Sequence, residues 1–149
     1  MIWGRFCFVL LMCCFFSAHA LAEEPKTNTT PQALQSSAES AEKWLQLLDR
    51  QKYAESWESG SLTLRLTFPR QVWISFMEKV RRPYGSFISR TRLLERPAKD
   101  PANLPKGDYM VIVFGAAFSR QPKVNELVTL IQESDGQWRV LTYTASASK

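Results

Sequence analysis

Cysteine and histidine are nearly absent, and the few present are confined to one end. Cys7, Cys13, Cys14 and His19 all lie in the first twenty residues. If the first 22 residues are removed, the 127 that remain contain neither residue type. That excludes Cys/His zinc sites, Ser–His–Asp and Cys–His nucleophilic machinery, disulfides and haem ligation by histidine. Gly-rich phosphate loops and metal-spaced carboxylate clusters are also missing, so no cofactor and no metal is expected.

What is present begins with an address. One early positive charge at Arg5 precedes an unbroken apolar run from Phe6 to Phe16, followed by Ser17-Ala18-His19-Ala20-Leu21-Ala22. Charged start, apolar middle and small-residue site are the parts of a secretory signal peptide. Cleavage is expected after Ala22, with Ala20 as the alternative, so residues 1–22 form the signal peptide. The eleven-residue run is too short to span a hydrocarbon core comfortably, which disfavours an uncleaved anchor. The expected localisation is export, to a periplasm or beyond.

Residues 23–35 are polar and interrupted by Pro25 and Pro31, which predicts a flexible tether. Residues 36–146 are expected to form a single α+β domain. Ser36 and Glu39 have the spacing of a capping box, and Ala38, Ala41, Leu45 and Leu48 recur at helical spacing. Tyr53, Ala54 and Trp57 predict a second helical piece, ended by Gly60. Leu62, Leu64 and Leu66 alternate, which predicts a short strand. Pro69 opens a further helix with Val72, Trp73, Phe76 and Val80 as its inner face. Strands are then predicted over 87–96, 109–118, 125–134 and 137–145, with a bulge or bend at Gly115.

Asp135-Gly136 is a strong hairpin signal. A two-residue loop sets Leu130 opposite Leu141 and Val128 opposite Tyr143. Glu126, Val128, Leu130, Leu141 and Tyr143 then share one face. Both faces carry apolar residues, so one is expected on the helices and the other against a partner, a pocket or the tether. The fold class is therefore α+β, with N-terminal helices packed on a bent antiparallel sheet of about four long strands. Such a sheet wrapped over a helix forms a cone, similar to nuclear-transport-factor-2-like and cystatin-like folds.

Several linked segments carry a family resemblance. They are Ala41–Leu45, Tyr53–Trp57, Gln71-Val72-Trp73, Val80–Gly85, Ser89-Arg90-Thr91, Gly107-Asp108-Tyr109, Glu126–Leu130 and Asp135–Val140. In this order and spacing, over roughly Ser36 to Tyr143, the chain resembles the bacterial family called domain of unknown function 4019. The resemblance implies an exported protein of unassigned biochemistry and supplies no catalytic residues.

Charge is uneven: residues 62–99 carry a net +7 while residues 23–61 carry −3. Lys79, Arg81, Arg82, Arg90, Arg92 and Arg96 make segment 79–96 a candidate for docking on an anionic membrane or glycan. The plainer reading, which is preferred, places Arg81 and Arg82 at a helix C-terminus and the strand arginines in water. Arg90, Arg92 and Arg96 are expected on one strand face. Trp44 and Trp73 fit the core, whereas Trp57 and Trp138 are candidates for lining a ligand site.

For catalysis the candidates are Glu126 and Tyr143. A carboxylate withdrawn from water can act as general base, and a nearby phenol can steady an oxyanion, as in a cone-fold isomerase. The preferred reading is a structural Glu126, in water or paired with an arginine, with Arg139 close by across the hairpin. The expected function is an exported, non-enzymatic binding or interaction module. Small acid–base enzyme and anionic-surface adaptor are the alternatives. Candidate partners are another envelope protein, a small apolar ligand, an anionic surface or a second copy of the chain; export argues against nucleic acid.

Overall fold

The computed structural model describes residues 30–148. The expected signal peptide and the tether up to residue 29 lie outside the described residues. Helix α1 (Pro31–Asp49) starts five residues before the expected point. Thr30 caps it, its hydroxyl accepting from the Ala33 amide at 3.3 Å, and Pro31 occupies the first turn, where a missing N–H costs nothing. The Ser36 capping box does not form; Ser36 Oγ donates to the Ala33 carbonyl instead. The end of the predicted tether, from Pro31 to Gln35, is thus helical.

Helices α2 (Tyr53–Glu58), α3 (Leu62–Thr67) and α4 (Arg70–Arg81) follow, and a 3-10 turn (Arg82–Tyr84) leads into the sheet. The predicted strand at Leu62–Leu66 is α3. Ser61 caps it through the Leu64 amide, at 3.1 Å, and is itself tied to the Val140 carbonyl, at 2.9 Å. Only Leu64 turns inward, so the alternation of leucines did not mark a two-faced strand. In α4 the buried stripe is Trp73, Met77 and Arg81, at i, i+4 and i+8. Val72 and Phe76, expected inside, are 52% and 43% exposed. Phe76 lies parallel to Phe68 with ring centroids 6.4 Å apart.

Strands β1 (Phe87–Lys99), β2 (Asp108–Phe118), β3 (Val124–Gln132) and β4 (Trp138–Ala147) form one antiparallel meander in the order β1-β2-β3-β4. The α+β class and four long strands stand as expected. One sheet face, with Met110, Ile112, Phe114, Val128, Leu130 and Val140, packs on the α1 stripe of Ala41, Leu45 and Leu48. Burial of this shared apolar face holds the two layers together.

The β3–β4 turn is a three-residue loop rather than the predicted two-residue one. The Gly136 amide donates to the Glu133 carbonyl at 2.8 Å, and Gly136 takes φ +77°. This is a turn followed by a left-handed glycine bulge. Leu130 then pairs with Val140 and Thr129 with Thr142, so Leu141 is an extra residue. The bulge sends Leu141 to the opposite face, beside Tyr109 and Ile131, while Tyr143 stays with the helix-facing core.

Strand β2 keeps its pairing through Gly115, and the irregularities lie in β1, where Ile88 and Leu93 are extra residues. Leu93 lies over Gly115: a Cβ there would sit 3.1 Å from Leu93 Cδ1. The glycine makes room for a neighbour's bulge.

Candidate functional site

Four charged side chains from four elements meet beneath the helices. Asp49 ends α1, Arg81 ends α4, Arg90 lies in β1 opposite Ala116, and Glu126 lies in β3 between Phe114 and Ala145. Glu126 has no exposed surface, and the side chains of Arg81, Asp49 and Arg90 are at least nine-tenths buried. Arg81 Nη1 donates to Glu126 Oε1 at 2.5 Å, and Arg81 Nη2 donates to Asp49 Oδ1. Arg90 Nε donates to Glu126 Oε2 at 2.6 Å, and its two terminal nitrogens donate to Asp49 at 2.8 and 2.9 Å. Each arginine bridges both carboxylates, and the four formal charges cancel.

Tyr143 completes the network. Its hydroxyl donates to Glu126 Oε1 at 2.7 Å and accepts from Arg81 Nη1 at 2.8 Å. Burial, then the Glu126 charge, push the phenol well above its ordinary value, against the opposing pull of Arg81. Burial works against the charge on each guanidinium. Tyr143, Glu126 and Asp49 override it at Arg81, and Asp49 and Glu126 override it at Arg90, so both rise above the ordinary arginine value. Aromatic faces cover the cations: Arg81 sits 4.7 Å from the Phe118 centroid and Arg90 4.5 Å from that of Phe87.

Burying four charges carries a heavy desolvation cost, offset only when every charge is paired and hydrogen-bonded. Here both Glu126 oxygens and both Asp49 oxygens have charged donors. That occupancy decides what Glu126 can do: no oxygen is left open to a substrate proton. The expectation of an arginine-paired Glu126 holds, with different partners. Arg139 pairs instead with Glu133 and Asp135, both at 2.7 Å.

Beside the network lies a cleft of about 640 Å³ between the end of α1, α2, α4 and the start of β1. Asp49 and Arg81 reach it from the network, and Tyr53, Gln51, Arg82 and Arg120 add donors, with Glu78 as a further acid. The Tyr53 phenol has no hydrogen-bond partner among the described residues; burial, against Arg81 and together with Glu78 and Asp49, raises it. Arg82 has no carboxylate partner among the described residues, and Arg120 donates only to the Arg82 carbonyl, at 2.6 Å. Gly85 shapes this wall. Its φ is +84°, and a Cβ there would fall 2.3 Å from Ser119 Oγ.

The predicted basic segment is not one patch. Arg81 and Arg90 are in the network, Arg92 pairs with Glu95 at 2.6 Å, and Arg82 borders the cleft. The bulge at Leu93 also separates Arg96 from Arg90 and Arg92: Arg96 pairs with Val111 on the face opposite Ile112, Phe114 and Ala116.

Of the tryptophans, Trp44 and Trp73 are core, their N–H groups held by the Ser56 carbonyl and hydroxyl at 2.8 and 3.0 Å. Trp57 donates to the Phe68 carbonyl at 2.7 Å and is a structural tie between α2 and the C-cap of α3. Trp138 is buried, with no acceptor for its N–H among the described residues. Neither candidate borders the cleft.

Asp49 was not singled out from the sequence. Its signal is an acid at the C-terminal end of a helix, where the macrodipole disfavours negative charge unless cations are close. Among the described residues no group of three metal-type ligands is found.

Comparison with curated proteins gives no match. Among solved structures, ActVI-ORFA of Streptomyces coelicolor is similar over 75% of this chain and 94% of its own, with 8% identity and a TM-score of 0.48. A protein of Catenulispora acidiphila is similar over 75% of this chain and 88% of its own, with 12% identity and a TM-score of 0.46. Residues 40–143, well over half of the sequence, match the family described as Protein of unknown function (DUF4019), and the chain belongs to that family.

Proposed function

We propose that this chain is an exported binding module without a reaction centre, and that the cleft beside the ion network takes a small ligand bearing a carboxylate or phosphate. The observation that carries the reading is the division of labour between network and cleft. Glu126, the best acid–base candidate, has both oxygens held by arginines and no exposed surface. The cleft next to it offers Tyr53, Gln51, Arg82 and Arg120, none of them engaged with a carboxylate. Guanidinium and phenol donors converging on a concave site suit an anionic oxygen ligand better than the apolar one. Dispersal of the basic segment weighs against the surface-adaptor alternative.

Export rests on the Met1–Ala22 pattern. Amino-terminal sequencing of protein recovered outside the cytoplasm should read Glu-Glu-Pro-Lys; an intact Met1 would refute it. The ligand reading is tested by calorimetric titration with inorganic phosphate, citrate and an acidic dipeptide. At least one should bind with an affinity that falls with salt, and Arg82→Gln with Arg120→Gln should weaken it about tenfold or more. Heat of binding unaltered by both substitutions, or none with any probe, would refute the site.

A further inference from the structure

The cleft beside the network is lined by charges of both signs that no described residue neutralises. Asp49 and Arg81 border it, but their charges cancel within the network against Arg90 and Glu126. The other charged side chains lining it are Glu78, Arg82 and Arg120. Arg82 and Arg120 stand together: the Arg120 guanidinium donates to the Arg82 carbonyl at 2.6 Å, and the Arg120 amide to the Tyr84 carbonyl at 2.9 Å. Glu78 lies one helical turn before Arg82, whose amide donates to the Glu78 carbonyl. An acid four places ahead of a base is the order in which helix-surface pairs form. These two side chains make no ion pair, and among the described residues Glu78 has no partner of its own. Tyr53 joins Glu78. It is only 8% exposed, yet it lines the cleft. Its hydroxyl is unpartnered but not sealed off, since the enclosed side-chain polar atoms without a partner among the described residues are Glu95 Oε1 and the Trp138 N–H. The phenol thus presents its oxygen to the cleft.

We propose that the ligand of this cleft is an acidic amino acid, with two carboxylates for Arg82 and Arg120 and one ammonium for Glu78 and Tyr53. The inference rests on the anion-binding reading above and narrows it. Two unneutralised cations and one carboxylate leave the cleft at +1. A ligand of net −1 that carries both signs of charge matches that balance. A dianion without an amine would instead sit against Glu78, and such a like-charge contact is how a site rejects the wrong ligand. An ammonium is a donor only and needs acceptors. The Glu78 carboxylate supplies them, and so does the phenol oxygen, which keeps its proton because burial, opposed by Arg81 and helped by Glu78, raises it. A volume of about 640 Å³ suits a molecule of this size.

The test is calorimetric titration of the protein as its host processes it, with L-glutamate, glutarate and L-glutamine. Glutarate is the same carbon chain without the ammonium, and glutamine lacks the second carboxylate. L-Glutamate should bind about fivefold or more tightly than either, the effect of one well-placed exposed charge pair. Glu78→Gln, at an exposed position that the fold tolerates, should weaken L-glutamate and tighten glutarate. A residue with a merely structural role would move both ligands the same way. Glutarate or glutamine binding as tightly as L-glutamate, or Glu78→Gln failing to shift L-glutamate and glutarate in opposite directions, would overturn the amino-acid assignment and leave the anion site standing. No heat with these three, nor with phosphate or citrate, would remove the site itself and this inference with it.

Discussion

Glu126→Gln removes one charge from the buried network while keeping its volume. Glu126 accepts three hydrogen bonds, from Arg81, Arg90 and Tyr143. Glutamine keeps one acceptor oxygen and turns an N–H₂ group towards a guanidinium, so one donor faces another. Asp49 is then left to balance two buried arginines, and the network holds a net positive charge. Breaking a buried pair by removing one partner costs about 3–5 kcal/mol, a large part of the roughly 5–15 kcal/mol that holds a domain folded. Urea unfolding followed by tryptophan fluorescence should show a lower midpoint at unchanged slope. Adding Arg90→Gln restores neutrality, so the double variant should be less destabilised than the sum of the singles by at least about 1 kcal/mol. A cost for Glu126→Gln below about 1 kcal/mol, the size of a surface change, or strictly additive singles, would refute the network as described.

Tyr143 predicts an alkaline limb. Its folded value is raised, so the unfolded chain releases this proton first, and stability is fully present below about pH 10, then lost as pH rises, by up to about 1.4 kcal/mol per pH unit. Tyr143→Phe should flatten that limb in urea midpoints taken between pH 9 and 11; an unchanged limb would count against the burial of the phenol. Trp73→Ala should cost about 3–5 kcal/mol and Phe76→Ala distinctly less, because only Trp73 is enclosed; equal losses would reverse the orientation of α4. Gly85→Ala should destabilise more than Gly136→Ala. Both have positive φ, but only at Gly85 does the new Cβ meet a neighbour, and thermal midpoints in the opposite order would contradict the wall of the cleft.

Much of the architecture was legible because periodicity and turn chemistry are local. The α1 stripe, the four strands and the position of the hairpin all follow from residues within a few places of one another. The failures share a cause: where the chain contradicts its local pattern, a distant contact decides. Leu62–Leu66 reads as a strand until Ser61 is tied to β4. Arg81 reads as a helix-end cation, although it continues the Trp73–Met77 stripe into the core, because charge masks its place in the period. The Leu141 bulge leaves no sequence mark and the Leu93 bulge leaves one only on the neighbouring strand, at Gly115, so Leu141 left the Glu126 face and Arg96 left the other arginines. Glu126 stood out as a carboxylate among apolar alternation, but its partners lie 36 and 45 positions away. Arg139, the arginine near in sequence, was the wrong one.

A closed ion network lies beside an open cleft. Arginine side-chain Nε–H resonances report on both at once during titration with phosphate or citrate. Arg82 and Arg120 should shift saturably, while Arg81 and Arg90 stay fixed and slow to exchange with solvent. Shifts confined to Arg81 and Arg90, or rapid solvent exchange at those two before any ligand is added, would show that the network is the reachable site and contradict the account.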